Sequence, residues 1–400
     1  MVFKGDERAG FGLDGVACAL CHQIQPDGLG TDASFSGHFV IAAKKEMYGP
    51  HAAPFTMPMI MHTGFTPKEA PQILDSALCG TCHTLSTSPL AADGTTLPHT
   101  LLEQAPYLEW RASAYSTEVP EPAAEAQSCQ GCHLPIVSED GEVITTRIAR
   151  RPRGGDFPSI APRAPYGRHV MAGGNTLIPQ LLRDFAAELR PQASAAALDA
   201  SRAASLQLLQ GATANLDLEV TRDGDHLALA AAIQSLVGHK LPSGFPSRRS
   251  WVRVEVRDAR GALVFRSGAV DGAGRLVDRT GMVLASEAVG GPTHPHYAEI
   301  SADDQVQIYE AIMADPEGAP TFRLLRGASF LKDNRLLPAG WRAADAQALG
   351  VASVGVDGDG DFGPAGDVAR YRVLATAAAG PYKVEAALVH QVLGARFAAE

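Results

Sequence analysis

The residues most able to do chemistry here are the cysteines, because a histidine stands directly after each pair of them. They fall in Cys18-Ala19-Leu20-Cys21-His22, Cys79-Gly80-Thr81-Cys82-His83 and Cys129-Gln130-Gly131-Cys132-His133, and the chain's six cysteines are all used in these three copies. C-x-x-C-H is the attachment signature of c-type haem. Two thiols three residues apart lie near one face of a helical turn and reach the porphyrin edge as thioethers, while the next residue brings its imidazole to the iron. A zinc reading accounts for the cysteine pairs but not for the histidine after each of them. A redox dithiol of the thioredoxin kind needs a βαβ setting that the flanking sequence lacks. Three covalently attached haem c groups are therefore expected, with His22, His83 and His133 as proximal ligands. No cysteine remains for a disulfide framework.

Each iron then needs a distal ligand or an open position. Two imidazoles saturate the metal and favour outer-sphere electron transfer; an open site favours chemistry on a bound molecule. Of the 13 histidines, His62 and His169 are the first candidates, with His239, His38 and His51 after them. The competing readings are a loop histidine bonded to backbone for His62 and a polar turn residue for His169. For His239 the alternative is an ordered loop whose basic residues meet haem propionates. Met57, Met59 and Met61 beside His62 are thioether alternatives, although methionine clusters more often pack. His99 ranks lower, and His226 and His390 read as structural residues in or beside strands. His294 and His296 are metal-capable, with a solvated loop as the stronger reading.

Other features are weaker. Arg151, Arg153, Arg163 and Arg168 suit propionates or form a surface charge cluster. Tyr107, Trp110 and Tyr115 could face a porphyrin, with an aromatic core as the default reading. Asp357, Asp359 and Asp361, with Asp367 beyond, alternate as calcium ligands do, but lack the glycine and terminal glutamate of an EF-hand. A solvated acidic turn is the stronger reading. No Ser-His-Asp order, phosphate-binding glycine loop or catalytic carboxylate pair stands out.

The elements that must position these residues change character along the chain. Residues 1–190 hold every cysteine and are punctuated by Gly and Pro, which predicts loops and short helices around haem. A helix is expected over 176–190, capped by Asn175, with Ile178, Leu181, Leu182, Phe185 and Leu189 on one face. Next comes an Ala-rich helix from about 193 to 210, within a connector at 191–212. From 213 to 400 the hydrophobic period becomes two. A hairpin is expected from Trp251–Val256 through the turn at 258–261 to Ala262–Phe265, and a last strand at 383–389. The fold class expected is α+β: a mostly α and loop multihaem domain, then a β-sandwich-like domain.

The formal charge is −10 with no basic stripe, which argues against nucleic acid as a partner. No apolar run is long enough to span a membrane. Haem c is attached outside the cytoplasm, yet no apolar signal core precedes the first motif. The expectation is a fragment, a misassigned start or a removed signal, with a periplasmic or extracellular location.

Four stretches carry a family resemblance: Asp14–Ile24, Ala77–Leu85, Pro106–Ser113 and Ser128–Pro135. Together they resemble the bacterial multihaem c-type cytochromes related in haem arrangement to the hydroxylamine-oxidoreductase class. Gly238–Arg249 and Leu331–Pro338 resemble the β-rich half that accompanies such haem domains. The resemblance implies extracytoplasmic electron transfer through closely packed, mostly bis-His haems, and further haem motifs in a longer chain. Redox proteins, other cytochromes among them, are the implied partners. A redox enzyme with one open haem, acting on a small nitrogen or sulfur species, and a subunit of an extracellular cytochrome assembly are the competing functions.

Overall fold

The computed structural model describes residues 15–148, 155, 160–376 and 379–400. Helix and strand are both present, at 22% and 26%, and the chain divides into two compact units. The first takes the segments up to Thr84 and from Ala126 to Leu208; the second takes Leu85–Glu125 and Leu209–Glu400. This differs from the expected division at 190, because residues 85–125 group with the strand-rich part.

Short elements make up the first unit, as its Gly and Pro content predicts. Helices Cys18–Cys21 and Cys129–His133 carry the first and third cysteine pairs, Ser76–Gly80 carries Cys79 with Cys82 just beyond its end, and Glu46–Gly49 pairs in parallel with Thr66–Glu69. The expected helix over 176–190 is two pieces, Leu177–Asp184 and Ala186–Leu189, separated at Phe185. Asn175 does cap the first piece, its Oδ1 accepting from the Ile178 amide at 3.1 Å. The expected apolar face gives no reason for one continuous helix: Ile178, Phe185 and Leu189 are all exposed, and helical length is held mostly by packing of such a face. The Ala-rich helix runs from Ala195 to Gly211.

Two larger antiparallel sheets, with two small two-stranded ones, build the second unit among the described residues. One has three strands in the order Gly366–Leu374, His226–Ser235, Ala214–Asp223; in the other, Arg249–Arg257 lies between Ile308–Ala314 and Lys383–Gln391. The expected hairpin is present, Arg249–Arg257 pairing with Leu263–Ser267. Alternation decides what is buried. Leu227, Leu229, Ala231 and Ile233 from one sheet meet Val252, Val254 and Val256 from the other in a single core. This is the period-two burial of strands with one face on a core.

A buried ionic network holds residues 85–125 to these sheets. Lys240 Nζ donates to Asp333 Oδ2 at 2.6 Å, Arg335 reaches both Asp333 and Glu109 at 2.7 and 2.8 Å, and the Lys240 amide donates to Glu109 Oε2 at 3.1 Å. Lys240 is fully buried and Glu109 nearly so. Burial by itself would push the Asp333 carboxyl up, but Arg335 and Lys240 prevail and hold it well below its ordinary value. Glu109 sits on the helix Pro106–Arg111, so these charges tie that helix to both sheets. Arg249 is likewise paired, with Glu287 at 2.5 Å and nearly out of solvent. The sequence alternative that these loop cations meet propionates is thereby corrected for Lys240 and Arg249: their partners are carboxylates of their own unit.

His294 is buried rather than in a solvated loop. Its Nε2 accepts from the Val306 amide at 3.1 Å, and burial, with Lys332 nearby, lowers its pKa to about 4. The folded state therefore resists protonating a group that the unfolded chain protonates near 6.5. Stability is full above about pH 6.5 and falls as pH drops toward 4, by up to about 3 kcal/mol. Denaturant unfolding of the second unit between pH 7 and 4 should show this loss, and His294→Gln should flatten the slope.

Candidate haem site

All three C-x-x-C-H motifs lie in the first unit, and local capping explains the turns of the second and third. Asp75 caps the second motif's helix, accepting from the Ala77 amide at 3.0 Å, and Ser128 caps the third, accepting from Gly131 at 3.2 Å. Side-chain oxygens at such caps satisfy amides the helix cannot. In the second motif the His83 and Cys82 amides both return to Cys79 O, closing the turn that presents the histidine.

The segment 34–37 and the third motif both dock on the second. The Gly37 and Ser36 amides donate to Thr81 O and Thr84 O, each at 2.8 Å, and Thr81 Oγ1 bonds Ser34 O. From the other side the Cys129 amide donates to Ser76 Oγ at 3.0 Å, and Gln130 Nε2 donates to Ile73 O and Asp75 O at 3.1 and 2.7 Å. The sulfur atoms converge accordingly. Contact with Cys129, then burial and the nearby Cys21 and Cys82, push the Cys79 thiol far up. Burial first, and a neighbouring cysteine second, also raises Cys21, Cys82 and Cys132. The cysteines of the three motifs thus lie near one another, with Cys21, Cys79 and Cys129 half-buried and Cys18, Cys82 and Cys132 exposed.

Whether the residues fit haem c is tested by the donor set and the packing. His22 Nδ1 lies 2.5 Å from Tyr48 O, and His133 Nδ1 lies 3.0 Å from Ala172 O. A carbonyl only accepts, so both rings carry the proton on Nδ1 and the lone pair on Nε2. This is how metal-bound histidines are oriented. The unit is also thin in side-chain core: Ile24, Tyr48, Ala70 and Ile73 are buried, while Val16, Phe55, Met61, Val143, Met171 and Ile178 are exposed. Large apolar groups left outward around a sulfur cluster fit a unit whose interior is a porphyrin. A shared zinc–thiolate centre fits less well. Among the described residues, the one group of three or more such ligands with donor atoms within 4.8 Å of one another contains no cysteine.

The expected distal candidates are dispersed. His169 is exposed, but its ring centroid stands 6.2 Å from that of His22, the planes 35° apart. His62 is exposed in the last turn of the helix Met57–Thr63, with Met57 and Met61 exposed beside it. His38 comes just after the Phe35–Gly37 turn that docks on the second motif, and is exposed. His51 is half-buried, and burial together with Arg163 lowers its pKa, favouring the neutral, ligating form. His239 belongs to the second unit, where its Nδ1 lies 3.2 Å from Lys240 O. Arg163 donates to Ala53 O at 2.9 Å and Arg168 is exposed; Arg151 and Arg153 lie outside the described residues.

Of the two readings of the aromatic residues, the structure has the core: Tyr107 and Trp110 stack on each other at 5.9 Å in the second unit, 1% and 4% exposed, because their helix packs inward there. Tyr115 donates to Leu236 O at 3.3 Å in that same unit. The acidic run is only partly a solvated turn: Asp357 is exposed, but Asp359 is not. Asp359 accepts from His296 Nε2 at 2.9 Å, with both side chains and that of Asp367 out of solvent. Far apart in sequence, these residues are joined by the fold, Asp367 being carried on the strand Gly366–Leu374.

This histidine–aspartate group is densely hydrogen-bonded. Gln307 Nε2 and Asn334 Nδ2 both approach His296 Nδ1 at 2.8 Å. Their orientation is fixed, since Gln307 Oε1 accepts from the Tyr297 amide and Asn334 Oδ1 from the Glu310 amide. Two donors at Nδ1 require the proton on Nε2, the position a cation at the carboxylates would need. Asp367 Oδ2 is already used by Tyr309 and Gln307, at 2.7 and 3.1 Å.

Comparison with known proteins adds one likeness. No family model and no curated protein matches the chain. A solved structure of a penta-heme cytochrome c552 from Thermochromatium tepidum is similar over 94% of this chain and 69% of that one, with a TM-score of 0.47 and 14% identity.

Proposed function

We propose that this chain is an extracytoplasmic multihaem c-type cytochrome that passes single electrons through three covalently bound, mostly bis-His haems. The observation that carries the reading is the gathering of three complete C-x-x-C-H motifs, with every cysteine of the chain, in one unit. The Nδ1 orientation of His22 and His133 and the thin side-chain core beside them support it. Cys18 and Cys21, Cys79 and Cys82, and Cys129 and Cys132 would hold the three groups, with His22, His83 and His133 on the irons. His62, His169, His239, His38 and His51 are the pool for the distal positions.

Haem c supplies a reversible one-electron couple. The chain's part is to fix the rings and to set their surroundings. Tyr48 O and Ala172 O make their histidines more basic ligands, which favours the oxidised metal. The β-sandwich-like second unit serves as a docking or assembly module for redox partners, other cytochromes among them. No helix among the described residues is long and apolar enough to cross a membrane.

A pyridine haemochrome assay with oxidised and reduced spectra tests the reading. Three haems per chain, all low spin and indifferent to carbon monoxide, is the expected result. Absence of covalent haem after expression with the attachment machinery sinks the proposal; one high-spin, ligand-binding haem replaces electron transfer with catalysis.

A further inference from the structure

Resting on that three-haem reading, we propose that the haem carried by Cys18 and Cys21 takes His22 on one face and His169 on the other. The loop from Gly167 to Gly173 then serves two haems at once, since it also orients the proximal ligand of the third motif. Spacing points there first. A metal–imidazole nitrogen bond is about 2 Å. With about 1.1 Å from nitrogen to ring centre, two axial imidazoles on one iron have centroids about 6 Å apart. His22 and His169 stand at 6.2 Å. The two rings are not part of a tetrahedral cysteine–histidine centre: among the described residues, no group of three such ligand atoms within 4.8 Å of one another includes either histidine.

Neither ring, moreover, is placed by chance. His22 is held by Nδ1 on Tyr48 O, and the Tyr48 amide returns to His22 O at 2.7 Å. His169 is carried by a loop zipped to the third motif: the Arg168 amide donates to Pro135 O at 3.0 Å and the Met171 amide to His133 O at 3.1 Å. Gly167 lies so close to Leu134 that a Cβ there would sit 3.3 Å from the Leu134 Cβ. Met171 adopts φ +47°, a left-handed backbone that a non-glycine residue holds only where its surroundings impose it. One residue further on, Ala172 O accepts from His133 Nδ1. A displacement of this loop is thus felt by the distal ligand of the first haem and by the proximal ligand of the third.

The test is His169→Ala in the haem-loaded chain, read by haem count, electron paramagnetic resonance and carbon monoxide binding. The count should stay as in the parent. One haem should turn high spin, bind one carbon monoxide per chain and return to low spin when imidazole is added. With ring planes nearer parallel than perpendicular, the signal lost should be a rhombic low-spin one. A variant that keeps its haems, stays wholly low spin and ignores carbon monoxide overturns the proposal.

The pairing is tested by adding His169→Ala to Cys18→Ala/Cys21→Ala. No high-spin haem should appear in that background; if one does, His169 serves another iron and the proposal fails. Should His169→Ala not accumulate, His169→Met provides the reading. A thioether-to-iron band is expected, and an unchanged spectrum refutes the pairing. A parent chain without covalent haem would instead refute the three-haem reading itself.

Discussion

Replacing Cys79 and Cys82 by alanine is expected to cost the protein more than the one haem those residues are proposed to carry. The second motif receives Gly37 and Ser36 from one side, and Cys129 and Gln130 from the other. Its helix also contributes Ala77 to the small set of buried side chains in the first unit. A porphyrin burying several hundred Å² of apolar surface contributes on the order of 10 kcal/mol, a large share of what one domain holds in reserve. Losing it leaves the Ser36–Gly37 turn and the third motif without that support. Cys79→Ala/Cys82→Ala should therefore fall below two haems per chain and lose protease resistance in the first unit. Cys18→Ala/Cys21→Ala should settle at two haems with the rest intact. Haemochrome counts and limited proteolysis of the two double variants decide it: if they behave alike, the second motif is not the hub.

The largest effect in the second unit is expected from Asp333→Ala. The substitution strips the carboxylate from Lys240 and Arg335 together, in a place where water does not reach either cation. Breaking a buried pair by removing one partner costs roughly 3–5 kcal/mol, because the remaining charge stays buried. In a unit of this size that lowers Tm by roughly 10 °C or more. Lys240→Met combined with Asp333→Leu should recover part of the loss, since it removes an ion and its counter-ion together. The haem spectra should be unaffected in both variants. The same carboxyl predicts an acid limit. Its folded pKa is depressed, so its contribution is whole above about pH 4, the unfolded value, and disappears as pH falls below that. Calorimetry at pH 7 and pH 3 measures both effects; an Asp333→Ala variant within about 1 kcal/mol of the parent would refute the network's role.

Sequence patterning was most informative where a local rule suffices. The C-x-x-C-H spacing named a haem chemistry because it is a rule of one helical turn. Asn175 marked a helix start because a cap needs only its own next residues. The alternation in Trp251–Val256 and Ala262–Phe265 gave the hairpin because strand side chains face opposite sides in turn. Each of these is a property of neighbours along the chain.

What the tertiary structure decided depended on residues far apart. Glu109, Lys240, Asp333 and Arg335 form one ionic knot, yet along the chain they read as ordinary loop and surface charges. Asp359 and Asp367 looked like an exposed acidic turn until the fold brought His296 between them. Tyr107 and Trp110 were candidates for a haem face, and the grouping of residues 85–125 with the sheets made them core. His22 and His169 are the sharpest case. The sequence alone determined that each is an imidazole near a haem motif; only the folding of a loop onto the third motif set them 6.2 Å apart. The physical reason is common to all four. Burial and pairing depend on three-dimensional proximity, and a single sequence records only the order of its residues.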